Sequence, residues 1–127
     1  MDRNKLVELY KKYDLTKDDV YKHQHYVIIT RQGIDKIQAI EQISIDYEVI
    51  QCEPNFSVFK ANAEKEGKKI QTFGSALKGT NFKDGNCNSW YVAEMAEKRA
   101  MSRAVLKLTG FYELGVFGED ESDSFKK

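Results

Sequence analysis

Residues 89–110 read SWYVAEMAEKRAMSRAVLKLTG, and the way this stretch packs decides the fold. It holds strong helix formers, with no Pro and no Gly before its last residue, and so predicts one long helix. Ser89 offers a hydroxyl to cap the first turn, and Gly110 offers the left-handed conformation that ends a helix at low steric cost. Ala93, Ala96, Ala100 and Ala104 recur at three- and four-residue spacing, and Leu108 continues the stripe. Small side chains in a stripe let a helix lie close against another surface, most simply a sheet. Arg99, Arg103 and Lys107 keep four-residue spacing along a second line and are expected to project from one side. The expectation is a helix resting on a sheet by its small edge and presenting charge to a polyanion by its cationic edge. A merely solvated cationic face is the alternative that the helix alone leaves open.

Upstream of the helix, residues 77–88 (LKGTNFKDGNCN) carry two Gly and three Asn and read as a long loop. The loop adds Lys78 and Lys83 beside Phe82, and Trp90 and Tyr91 follow. Rings interleaved with cations suit single-stranded nucleic acid, because bases stack on rings while Lys and Arg hold phosphates. The same rings serve equally as core or subunit contacts.

Three strand-like runs precede the loop. Residues 45–53 (IDYEVIQCE) alternate, with Ile45, Tyr47 and Val49 on one side, and Pro54-Asn55 is a turn. Residues 56–63 (FSVFKANA) and 69–76 (KIQTFGSA) flank KEGKK, where Gly67 supplies a positive φ. They form an antiparallel meander. Lys65, Lys68 and Lys69 at the hairpin tip either make contacts or keep it soluble.

Earlier still, YVIIT (26–30) is a strand, Arg31-Gln32-Gly33 punctuates it, and residues 34–43 place Ile34, Ile37, Ile40 and Ile43 on a helix. Residues 4–13 form another amphipathic helix, with Leu6, Leu9, Tyr10 and Tyr13 on its apolar face. Thr16 opens TKDD like a helix start, predicting a helical turn through Val20 and Tyr21. His23 and His25 share a strand face, but no third ligand stands nearby, and they read as ordinary polar positions with no metal expected.

The fold class that follows is α+β: an antiparallel three- to four-stranded sheet, a β-meander, with the long helix packed on one face. An N-terminal helical segment (1–24), a core (25–117) and an acidic tail (118–127), expected to be disordered, divide the chain.

At 127 residues, 41% hydrophobic and 31% charged, the chain suits one soluble globular domain. No stretch is apolar for long enough to span a bilayer, and the first residues lack an apolar signal core, so a cytoplasmic protein with no membrane contact is expected. Cys52 and Cys87 stand alone and are expected as reduced thiols. Net charge is zero, but unevenly spread: −2 over residues 1–59, +5 over 60–107 and −3 over 108–127. The basic excess falls on the late strands and long helix. No Gly-rich phosphate loop and no nucleophile–base set is present, so neither enzymatic activity nor a cofactor is expected.

The run YVIITRQGIDKIQAIEQISIDYEVIQC, the hairpin VFKANAEKEGKKIQTFG and the helix EMAEKRAMSRAVLKLTGF together resemble the single-strand annealing proteins of the Rad-fifty-two superfamily, phage relatives included. The resemblance spans roughly residues 25 to 112 and is one of order, spacing and short motifs. It implies a homo-oligomeric ring or filament that holds single-stranded DNA in an outward basic groove, in a bacterial or phage-infected cell, with recombination or replication as the setting. The family's DNA-facing basic positions match Arg31, Arg103 and Lys107; geometry adds Arg99, and the loop adds Lys78 and Lys83. The long helix departs from the pattern by beginning acidic, with Glu94 and Glu97. Annealing needs backbone contacts and exposed bases, so little sequence preference and steep salt dependence are expected. The acidic tail is a candidate contact for a replication partner.

Three other readings compete. A double-stranded RNA-binding module has nearly the same element order but a basic last-helix start, where this one is acidic. A small metal-dependent nuclease would use Asp84, Glu94 and Glu97. A small interaction protein of mobile-element origin, with no nucleic-acid role, would pair Arg99 and Arg103 with carboxylates such as Glu97 or Asp84.

Overall fold

The computed structural model describes residues 3–23, 26–79 and 92–119. In chain order they form α1 (Arg3–Lys12), β1 (Val20–His23), β2 (Tyr26–Ile29), α2 (Arg31–Glu41), β3 (Ser44–Cys52), β4 (Phe56–Lys65), β5 (Lys68–Leu77), α3 (Val92–Leu108), a 3-10 turn (Tyr112–Leu114) and β6 (Val116–Gly118). The class is α+β, with α3 packed on the meander β3-β4-β5 as expected.

The meander follows from its turns. Glu66 (φ 49°) and Gly67 (φ 84°) make a two-residue connection with both residues left-handed, the twist that suits a tight hairpin. Glu53 and Phe56 exchange backbone hydrogen bonds around Pro54-Asn55. Ile50 is an extra residue on β3, between Val49 opposite Phe59 and Gln51 opposite Val58.

Two features depart from expectation. The YVIIT strand does not join the meander; β2 lies in a second sheet, β1-β2-β6, in which β1 is antiparallel and β6 parallel to it. The helical turn expected through Val20 and Tyr21 is β1, because Thr16 and Asp19 close a local turn: the Thr16 N–H donates to Asp19 Oδ2 at 2.9 Å, and Asp18 N–H to Thr16 Oγ1 at 3.2 Å. β1 and β2 pair from Val20 opposite Ile29 to His23 opposite Tyr26. Leu6 of α1 and Tyr13 just after it enter the same core cluster as Ile34, Ile37, Met101, Val105 and Phe111.

α2 begins three residues before the expected start, because Thr30 caps it by accepting the Gly33 N–H at 3.2 Å. Arg31 is thus in the first helical turn. The three-residue spacing of its isoleucines falls about 60° short of a full turn per step. Ile34 and Ile37 are consequently buried while Ile40 is 52% exposed.

α3 is buried on two sides. Ala96, Ala100 and Ala104 are fully buried, and the sheet beneath offers equally small groups, Ala61, Ala63, Thr72, Gly74 and Ala76. Ser102 on another side lies against Gly118 of β6, and α2 also packs on α3. The helix sits between the meander and the second sheet, which explains its weak amphipathicity.

Candidate nucleic-acid interface

The expected ridge of outward cations is only partly present. Arg99 is 4% exposed, and its Nη1 donates to the Ser75 carbonyl at 3.0 Å. Arg103 is half-buried, with Nη1 donating to the Phe73 carbonyl at 2.9 Å. The match is metrical: four helical residues rise about 6 Å and two strand residues span about 6.7 Å. Guanidinium groups one turn apart on α3 thus meet alternate carbonyls along β5. Among the described residues β5 is an outer strand, paired only with β4, so these arginines cover part of its edge. Arg99 is a structural tie rather than the outward contact expected of it. Lys107 is exposed and lies 5.2 Å from the centre of the Tyr112 ring.

Close approach governs the inward face of β5. A Cβ at Gly74 would stand 2.2 Å from the Ala96 carbonyl oxygen and 2.4 Å from the Ala100 nitrogen. Small residues therefore alternate inward, and the larger Phe73 and Leu77 turn outward, 49% and 41% exposed. Thr72 Oγ1 donates to the Ala100 carbonyl at 2.7 Å and fastens the helix over this face.

The meander is electrically polarised across its strands. β5 carries Lys68 and Lys69, no acid, and is followed by Lys78, all three exposed. β3 carries Asp46 and Glu48 and no base. Glu94 and Glu97 are exposed on the β3 side of α3. Glu94 borders a cavity with Cys52, Glu53 and Pro54. Glu97 acts on Tyr47, whose hydroxyl pKa is raised by burial first and then by that carboxylate, with Arg31 opposing.

Arg31 lies on that acidic side, across α3 from Arg103. Its Nε is 3.6 Å from Asp35 Oδ1, and its backbone N–H donates to Glu119 Oε1 at 3.2 Å. The fold therefore gathers Arg103, Lys78 and the hairpin lysines Lys68 and Lys69 along one flank and leaves Arg31 on the other. Lys65 serves the interior: its Nζ is 2.7 Å from Glu41 Oε2. Lys83, Phe82, Asp84, Cys87, Ser89, Trp90, Tyr91, His25 and the tail beyond Glu119 lie outside the described residues. Among the described residues no group of three potential metal ligands gathers.

Sequence reasoning missed Phe73. Its signal was the run TFGS, in which a lone Gly in a strand marks close backbone approach and turns the neighbouring ring to the opposite face.

Comparison with family models, characterised proteins and solved structures gives no match for this chain.

Proposed function

We propose that this chain binds single-stranded DNA along the β5–α3 flank and promotes annealing of complementary strands as a homo-oligomer. The observation that carries the reading is an exposed aromatic ring, Phe73, on a strand without acids that carries Lys69 toward one end, is followed by Lys78 at the other, and has its Phe73 carbonyl held by Arg103. A ring stacks any base, and flanking cations hold the backbone without gripping the pairing edges. Arg31, beside Glu97 and Tyr47, has the weaker electrostatic case, and Arg99 supports the flank from within. The oligomeric part is supported by β3, a nine-residue outer strand with Tyr47, Val49 and Ile50 exposed. Long apolar edges of this kind are normally covered. Contacts between copies through this edge leave the β5 flank of each copy open to DNA in a ring or filament. No helix among the described residues is long and apolar enough to cross a membrane. The cytoplasm of a bacterial or phage-infected cell, and a replication partner for the tail, belong to the same reading.

The test is titration of a labelled oligonucleotide with Lys69→Glu/Lys78→Glu and, separately, Phe73→Ala, with duplex RNA as competitor. Three phosphate contacts to a single strand give a log–log salt slope of about −2, or a roughly twentyfold loss between 50 and 200 mM salt. The double reversal is expected to weaken binding more than tenfold and flatten that slope, and the ring variant to slow annealing of complementary strands. Wild-type affinity in a folded double variant overturns the flank as the site. Preference for duplex RNA overturns the annealing reading.

A further inference from the structure

α1 and β1 enclose an apolar groove of about 580 Å³ that no described segment covers. Val7, Tyr10, Tyr21 and Val27 line it, together with Arg3 and Lys22. Val7 and Tyr21 are substantially exposed, and among the described residues β1 is an outer strand of its sheet. A groove of this size with an apolar floor and two cations suits an aromatic side chain on an acidic segment.

We propose that the occupant is this chain's own acidic segment, residues 119–125 (EDESDSF), with Phe125 in the groove and the carboxylates that follow Glu119 against Arg3 and Lys22. Four of the five residues 119–123 are acidic, and Phe125 is the one large apolar residue after Phe117. Reach permits it. Gly118 pairs with Ile29, and Ile29 with Val20, a groove-lining residue. Two interstrand spacings separate them, about 10 Å. Seven further residues extend at most about 25 Å. The segment leaves from a defined place, because Glu119 accepts the Arg31 backbone N–H. Its binding holds the tail's negative charge on the second sheet, away from the cationic β5 flank, and stands independently of what that flank binds.

The full chain with Cys52→Ser and Cys87→Ser carries the test. Ser124→Cys is combined with Tyr21→Cys in the groove or with Ile50→Cys on β3 as the control pair, and crosslinks formed by mild oxidation of dilute protein are mapped by mass spectrometry. The Tyr21→Cys pair is expected to crosslink within one chain at least tenfold more than the control, and Phe125→Ala or Lys22→Glu to lower that yield severalfold. Val7→Cys, on the α1 wall, gives the same readout without altering β1. Equal yields in groove and control pairs overturn the proposal. So does a groove crosslink found only between copies, which assigns the occupant to a second chain, and so does a yield unmoved by both Phe125→Ala and Lys22→Glu.

Discussion

Gly74→Ala tests the packing on which the fold depends. The added Cβ would meet the Ala96 oxygen at 2.2 Å, the Ala100 nitrogen at 2.4 Å and the Arg99 carbonyl carbon at 3.0 Å. All three are backbone atoms, so no rotamer change relieves them. Helix or strand must retreat by about 1 Å to restore ordinary contact, and such a gap forfeits a quarter to a half of the dispersion attraction across the interface. Thr72 Oγ1, 2.7 Å from the Ala100 carbonyl, then loses its acceptor while staying buried, at about 1–3 kcal/mol. Overpacking adds about 1–3 kcal/mol, so the sum is about 2–6 kcal/mol. Against a typical stability of about 5–15 kcal/mol, that is a loss of about 6 °C or more in Tm. Thermal and urea unfolding followed by circular dichroism measure it. Gly67→Ala is the comparison: nothing lies within 4 Å of its Cβ, so only the left-handed backbone (φ 84°) opposes it, at about 1 kcal/mol. If Gly74→Ala melts within about 2 °C of the parent, α3 does not lie on β5 at this distance and the reasoning fails.

Further outcomes follow from the buried polar groups. Glu41 accepts from Tyr13 Oη at 2.8 Å and lies 2.7 Å from Lys65 Nζ and 3.2 Å from Lys12 Nζ. The Lys65 bond leads in lowering its pKa from 4.5 to about 2; burial opposes it, and Tyr13 and Lys12 assist. A lowered folded-state value means that its stabilisation is complete above pH 4.5 and fades as pH falls toward 2. Glu41→Gln should therefore cost about 2–3 kcal/mol at pH 7 and much less near pH 2.5, by urea denaturation at both values. Asp19 is fully buried; burial alone would raise its pKa, but bonds from Lys36 (2.7 Å) and Thr16 overcome this and lower it. Asp19→Ala strands those donors and should destabilise by about 2–4 kcal/mol, with the loss of α2 amide protection in hydrogen exchange as a second sign. Arg99→Met removes a charged donor from the Ser75 carbonyl, at about 1–3 kcal/mol. Together with Arg103→Met it uncovers the β5 edge and should raise self-association in light scattering.

Local patterns carried much of this molecule. Helix formers bounded by Gly110 specify α3; Glu66-Gly67 specifies the hairpin; alternation specifies β3 and β4. Each is a short-range property, decided by backbone sterics and side-chain periodicity. The second sheet was less legible because β1 and β6 are four and three residues long and belong to opposite ends of the chain. Strands so short have no period to read, and their pairing with β2 is settled only when α1, α2 and α3 cover them.

For the site, residue type was legible and direction was not. Arg99 and Arg103 share a spacing that marks one helix side, yet the spacing is silent on whether that side meets water or a strand edge. Their burial follows from the approach of α3 to β5 at Gly74, which brings alternate carbonyls within reach of both guanidinium groups. The same approach turns Phe73 outward, against the usual preference for burying large rings. Sequence by itself determined the helices, the meander and the pool of cations, because these depend on neighbours a few residues apart. Tertiary structure alone decided which cations became ties and which stayed at the surface, because that depends on a helix-to-strand distance set by residues more than twenty positions apart.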